Sequence, residues 1–185
     1  MTKTPGTSGY VHSLQKFIHA THSIEFSELH KDFLPFLPPK KSLILDLGAG
    51  IGRDSYEFSK MGHSVVAVEP LGEFLNAGRE LYGSTSIHWI QDSLPLLIHL
   101  SKYPYTFDFV LSSGVWHHLS EADQSRAVSR VAELLKPKGR FALSLRNGPP
   151  GAGSYVFPTD VNRIIEQGVA CGLVVTLELR EQPSL

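Results

Sequence analysis

"LILDLGAGIGRDS", residues 43 to 55, begins as an unbroken apolar run, passes through three glycines at alternate positions and then turns polar. Leu43, Ile44 and Leu45 have the length and branching of a buried strand, and the spacing from Arg53 to Met61 predicts a helix. Gly48, Gly50 and Gly52 fall in the turn between them and give, with Asp46, the pattern D-x-G-x-G-x-G. A residue without a Cβ either permits a positive φ or lets a ligand touch the main chain. Amides gathered at a helix N-terminus carry partial positive charge and favour an anionic group such as a phosphate or carboxylate. The stretch therefore predicts a strand, a ligand cradle and a helix.

Working outward, the same alternation recurs downstream. Gly62 stops the first helix, "SVVAVEP" predicts a strand ending at Glu69, and "GEFLNAGRELY" a helix. "SIHWIQD" predicts a third strand, "SLPLLIHLS" a short helix and "FDFVLSS" a fourth strand. "SEADQSRAVSRVAELL" reads as a long helix opened by Ser120 and Asp123, and "GRFALSL" as the fifth strand. Thr159 is placed to cap "DVNRIIEQGVAC", Gly172 to close it, and "LVVTLELR" to form a sixth strand. Strands alternating with helices predict an α/β, Rossmann-like, doubly wound fold: a mostly parallel sheet with helices on both faces. Ligands of such sheets bind at the strand carboxyl ends, near the point where the strand order reverses. Upstream, "YVHSLQKFIHATH" and "FSELHKDFLPFL" predict an N-terminal helical cap over residues 1–39, separate or part of the same domain. "PPKK" punctuates the boundary with a ligand-binding domain over 40–185.

Composition removes several classes. The chain has 185 residues and a formal charge of -1, so no global basic field points to nucleic acid or to an acidic membrane. A single cysteine, Cys171, excludes an internal disulfide framework and a multi-cysteine zinc site, in keeping with a reducing cytoplasm. With no secretory signal and no apolar run of bilayer length, the expectation is a soluble, cytoplasmic protein, monomeric or homodimeric. His12, His19, His22 and His30 lack the acid or cysteine neighbours of a metal site. No metal is expected, and these histidines read as solvent-facing or helix-packing.

Glu69 ends the second strand, and an ionised carboxylate can accept from two neighbouring ribose hydroxyls. That indicates an adenosine-containing cofactor. NAD sites also use an acid about 20 positions beyond their glycines, but their G-x-G-x-x-G would need glycine where this chain has Arg53. Asp92, at the end of the third strand, is placed for the amino group of an adenine ring.

"LDLGAGIGRDS", "VVAVEP", "IQDSLP", "FDFVLSSGVWHHL" and "LLKPKGRFALSL", in this order, resemble the successive motifs of class I S-adenosylmethionine-dependent methyltransferases. The likeness spans Leu43 to Leu145 and is most similar to small-molecule-type domains with H-H-L after the fourth strand. It implies that Gly48, Ala49 and Gly50 pack on the methionine and ribose parts of S-adenosylmethionine, with Gly52 and Arg53 completing the loop. It also implies that Glu69 holds the ribose, Pro70 or Leu71 lies against adenine, and Asp92 with Ser93 reads the base edge. Asp46 would order the loop and help hold the cofactor's amino group, and the backbone of Ser112 and Ser113 would line the methionine side.

The expected reaction is methyl transfer to an oxygen, nitrogen or sulfur nucleophile of a small molecule, with S-adenosylhomocysteine as product. A protein or RNA side group stands behind that acceptor, and a non-catalytic nucleoside-binding module or an NAD-dependent oxidoreductase are the alternatives. His117 and His118 are the candidate proton acceptors; capping or packing is their structural alternative. Tyr10, Trp116, Arg146, Tyr155 and Phe157 are the candidate substrate contacts, with Trp116 equally readable as core and Tyr10 as tail. N-P-P-Y and Pro-Cys motifs are lacking after the fourth strand, and a cysteine trio is lacking throughout. Their absence disfavours amide or base nitrogens, pyrimidine carbon and arsenic as acceptors. One departure from the family is that its seventh, antiparallel strand has no counterpart before "REQPSL". The expectation is a truncated chain, or a sheet ending at six strands.

Overall fold

The computed structural model describes Thr7, Tyr10 and residues 14–83, 86–148 and 155–180. Val11, His12, the middle of the expected loop after the fifth strand, and residues 181–185 lie outside them. Five parallel strands, β1 (Leu43–Leu47), β2 (Ser64–Val68), β3 (Ile87–Ile90), β4 (Phe107–Ser112) and β5 (Leu135–Leu143), form one sheet in the order β3-β2-β1-β4-β5. The chain winds outward from β1 to β3, then returns to start again at β4. The reversal therefore falls between β1 and β4, where loops leaving neighbouring strands diverge and open a crevice.

Period-2 alternation sends successive side chains to opposite faces. Ile44, Val65, Phe109 and Leu111 meet Phe26 of α2 (Phe26–Leu29) and Phe58 of α3 (Arg53–Lys60) on one face. Trp89 lies against α4 (Gly72–Tyr82). On the other face Leu45, Leu47, Val66, Val68 and Val110 pack with Val128, Val131 and Leu134 of α5 (Glu121–Leu134) and Ile164 of α6 (Val161–Ala170). The strands are apolar on both sides because helices cover both. Of the N-terminal segment, α1 (Leu14–His22) contributes no fully buried residue, whereas Phe26 of α2 is 6% exposed and shares the core with the sheet. Among the described residues, no helix is long and apolar enough to cross a membrane.

Four local expectations are corrected. "LVVTLELR" is not a strand: residues 173–180 run outside the sheet, with Val174 83% exposed. Its alternation has strand character, but a strand also needs a hydrogen-bonding neighbour, and among the described residues the sheet ends at β5. "SLPLLIHLS" is a turn followed by a short 3₁₀ segment, Ile98–Leu100, because Leu97 takes a left-handed φ of 48° that interrupts any α-helix. The second N-terminal helix stops after Leu29, and a 3₁₀ turn with Pro35 near its start replaces the rest. α6 is capped by Asp160, whose carboxylate accepts from the Arg163 amide at 3.2 Å, while Thr159 Oγ1 donates instead to Asn147 Oδ1 at 2.8 Å. The Ser120 cap of α5 is as expected, accepting from the Asp123 amide at 3.2 Å.

Phe58 tests the core of the first face, being wholly buried with its ring 5.4 Å from Phe26 and 6.2 Å from Phe109. Phe58→Ala is expected to lower unfolding free energy by about 3–5 kcal/mol in urea titration. A loss under about 1 kcal/mol, within the range of ordinary surface changes, would contradict this packing.

Candidate functional site

The turn after β1 is pulled toward β2. The Gly48 and Ala49 amides both donate to the Val68 carbonyl, at 2.8 and 3.0 Å, and the Gly52 amide closes onto the Ala49 carbonyl at 2.8 Å. Gly48, Gly50 and Gly52 have φ of 72°, 58° and 85°, a region that L side chains occupy at a cost. What approaches them is in each case a side chain of this protein. A Cβ on Gly48 would stand 2.4 Å from Val115 Cγ2, and one on Gly52 would stand 2.2 Å from Trp89 Cη2. A Cβ on Gly50 would meet the Phe17 ring at 3.2 Å. Two of the three glycines thus admit internal packing, a role not visible in their spacing.

Glu69, just beyond β2, turns toward this loop. Its Oε2 accepts from the Gly50 amide and its Oε1 from the Leu71 amide, both at 2.9 Å. Burial pushes its carboxyl up to about 7, against the pull of those two amides. Asp46, at the end of β1, accepts from Ser55 Oγ at 2.6 Å. Burial and the neighbouring Asp54 push it up to about 7 as well.

Asp54 is different. Burial alone would raise it, but hydrogen bonds and charge from His30 and Arg53 outweigh that and hold it below the usual carboxylate range. His30 Nε2 lies 2.9 Å from Asp54 Oδ2, and Arg53 Nε donates to Oδ1 at 2.7 Å. Arg53, expected to serve the cofactor loop, is thus engaged with Asp54 and, at 3.4 Å, with the Thr21 carbonyl at the end of α1. His30 is buried at 4% exposure rather than solvent-facing. This pair spans 24 positions and two elements, so no local pattern announces it.

On the expected base side, Pro70 and Leu71 lead from Glu69 into α4, and the Pro70 carbonyl accepts from Gln91 Nε2 at 3.1 Å. Asp92 is committed locally: Oδ1 accepts from the Ser93 amide at 2.8 Å and Oδ2 from the His99 amide at 2.7 Å. The Ser93 carbonyl accepts from the Leu97 amide at 3.0 Å.

Beyond β4 lie the remaining candidates. Ser112 is wholly buried and its Oγ has no hydrogen-bond partner, while Ser113 is half-buried. A short 3₁₀ turn, Trp116–His118, follows. Trp116 is wholly buried in the main core with its ring 5.6 Å from Phe141, so of its two readings the core one holds and it offers no substrate surface. His117 is buried, its Nδ1 without a hydrogen-bond partner. Burial, with His118 and Arg146, depresses it to about 4, so it is neutral at pH 7. His118 Nε2 and the Tyr10 hydroxyl are hydrogen-bonded at 3.2 Å. Burial raises the Tyr10 phenol, with Arg146 opposing and Glu69 adding to the shift. The Phe157 amide donates to the His117 carbonyl at 2.8 Å, and Tyr155, 53% exposed, packs edge-on against Phe157. The structure therefore brings together Gly50, Glu69, Tyr10, His117, His118 and Arg146. It leaves Trp116 in the core and Asp92 in its own turn. Phe17 is the neighbour that the sequence reading did not include. Among the described residues there is no acid, histidine and cysteine group able to hold a metal.

A family model described as a methyltransferase domain matches residues 44–139, more than half of the chain. The chain belongs to this family, and its glycine turn and the order of its five parallel strands fit the Rossmann-like fold of the class I S-adenosylmethionine-dependent methyltransferases. An uncharacterised methyltransferase of Mycobacterium bovis is 33% identical over 108 residues, covering 58% of this chain and 41% of that protein. The chain thus spans under half the length of the curated relatives first matched. Among solved structures, a TehB-like methyltransferase of Corynebacterium glutamicum superposes with a TM-score of 0.66 at 18% identity, covering 88% of this chain and 82% of the other. The 1,6-didemethyltoxoflavin-N1-methyltransferase of Burkholderia thailandensis gives 0.62 at 23%, covering 89% and 74%. Both share the fold.

S-adenosylmethionine is the cofactor of this class, and the residues present suit it. A carboxylate offers about four lone-pair directions; the Gly50 and Leu71 amides use two at Glu69, leaving two for a vicinal diol.

Glu69 supplies a pH test. A carboxyl raised from 4.5 to about 7 on folding is protonated preferentially in the folded state. Its stabilising contribution is complete below the unfolded value and is lost as pH climbs through about 7. Wild type should therefore lose up to about 3 kcal/mol more stability between pH 4.5 and 8 than Glu69→Gln does, as measured by denaturant unfolding at each pH. Identical pH profiles would remove the buried carboxyl from the account.

Proposed function

We propose that this protein transfers a methyl group from S-adenosylmethionine to an oxygen, nitrogen or sulfur nucleophile of a small molecule. The observation that carries the reading is Glu69, held 2.9 Å from the Gly50 amide at the tips of β1 and β2, next to the Tyr10–His118 pair beyond β4. When bound, the cofactor supplies a methyl group made electrophilic by its sulfonium, so the protein's task is mainly alignment and proton handling. Glu69 would hold the ribose through its two remaining acceptor directions. Asp92 and Ser93 would border the base, and Gly48 to Gly50 the amino-acid tail.

The acceptor's nucleophile must shed a proton as it takes the methyl. His118 is the imidazole that would receive it, with Tyr10 as relay: the phenol would pass its own proton to Nε2, 3.2 Å away, as it takes the acceptor's. His117, neutral at pH 7, adds no charge that would repel a proton leaving toward His118. A protein sharing this fold is named as the methyltransferase of 1,6-didemethyltoxoflavin, a small molecule, which supports an acceptor of that size.

The reading is tested by thermal shift. S-adenosylhomocysteine and S-adenosylmethionine should raise Tm while NAD does not, the stabilisation reaching about 2.7 kcal/mol at 100 times Kd. Glu69→Ala should abolish the shift. Stabilisation by NAD alone, or an undiminished shift in Glu69→Ala, would overturn the assignment. A radiolabelled methyl-transfer screen over small phenols, amines and thiols then searches for the acceptor.

A further inference from the structure

The three glycines of the turn are not equivalent. Gly48 and Gly52 are packed by Val115 and Trp89, which belong to the sheet and its connections. The atoms facing the missing Cβ of Gly50, at 3.2 and 3.3 Å, are Cε1 and Cζ of Phe17, and Phe17 rides on α1. Its ring lies 4.7 Å from Phe74 and 5.9 Å from Tyr10. Directly beside Gly50 is Glu69, the acid meant for the ribose, which is only 5% exposed. A nucleoside that reaches Glu69 and rests on Gly50 requires the volume that Phe17 holds.

α1 is built to yield that volume. It has no fully buried residue. Among the described residues, its polar ties to other elements are an exposed His22 Nε2 to Tyr82 hydroxyl contact at 3.2 Å and a long Arg53 bond to the Thr21 carbonyl at 3.4 Å. α2 is anchored differently, by Phe26 in the core and by the buried contact of His30 with Asp54. Between them Ser23, Ile24 and Glu25 belong to neither helix. Among the described residues, a rotation that lifts α1 would break these weak polar contacts and the ring cluster while leaving α2 docked.

We propose that α1 is a gate on the cofactor cradle, swinging about Ser23–Glu25, with the Phe17 ring on Gly50 as the part that must leave before a nucleoside can reach Glu69. This rests on the reading of the cradle as the S-adenosylmethionine site. The consequence is kinetic and thermodynamic. If only the open fraction binds, the apparent Kd is the intrinsic Kd divided by that fraction, so removing the ring should speed and tighten binding.

The test is stopped-flow and calorimetric binding of S-adenosylhomocysteine to wild type, Phe17→Ala and Phe17→Leu, each checked for folding by circular dichroism. Phe17→Ala should associate about 10-fold faster and bind severalfold tighter, with Phe17→Leu intermediate. Unchanged rates would overturn the gate, and weaker binding would make Phe17 a wall of the bound site instead. Absence of binding in all three folded proteins would overturn the S-adenosylmethionine reading itself. Hydrogen exchange on unliganded wild type gives a readout without substitution: α1 amides should exchange at least about 10-fold faster than those of α3. Equal protection in the two helices would contradict a gate.

Discussion

The hydrogen bonds from the Gly50 and Leu71 amides to the Glu69 carboxylate tie together the loops leaving β1 and β2. This buried acid does two things at once. Structurally, it satisfies two loop amides that are otherwise costly to bury. Functionally, it leaves acceptor directions unused at the carboxyl ends of β1 and β2, one strand away from the β1–β4 crevice. Its elevated pKa is the electrostatic trace of that compromise: the site is dry enough to resist charge, and its two amide donors only partly compensate.

Around this acid the elements divide by how firmly they are held. β1, β2 and β4 are buried on both faces, and α3 is fixed through Phe58, Ser55 and the Asp54 carboxylate. The N-terminal segment splits between an anchored α2 and a superficial α1. Such a gradient places local opening at the entrance to the site and rigidity beneath it. Tyr10, hydrogen-bonded to His118 at 3.2 Å, links the N-terminal segment to the turn after β4, so the proposed swing of α1 would be felt on both sides of the candidate site.

Much of this was legible in the sequence, for physical reasons that can be named. β1, the glycine turn and α3 follow from apolar continuity giving way to missing side chains. The bounds of α4 are those of "GEFLNAGRELY", where a single apolar face meets the sheet. Ser120 caps α5 because its bonding partner lies three residues away. What escaped depends on distant neighbours. Residues 173–180 alternate like a strand, but only a strand alongside could have made them one. Gly48 and Gly52 are glycines because Val115 arrives from the loop after β4 and Trp89 from β3, and His30 is buried because Asp54 awaits it. The oxygens of Asp92 are taken by the amides of Ser93 and His99, the latter seven residues on, which makes this acid a brace for its own turn in addition to a candidate for the base edge.

The most direct test of the central claim is the pH dependence of S-adenosylhomocysteine affinity, measured by titration calorimetry from pH 5.5 to 8.5 on wild type and Glu69→Gln. If ribose hydroxyls donate to the Glu69 carboxylate, wild-type affinity should rise as pH passes through about 7, and the variant should bind more weakly with a shallower slope. Wild-type affinity that is flat across the range, or a variant that binds as tightly as wild type at pH 8.5, would contradict the account.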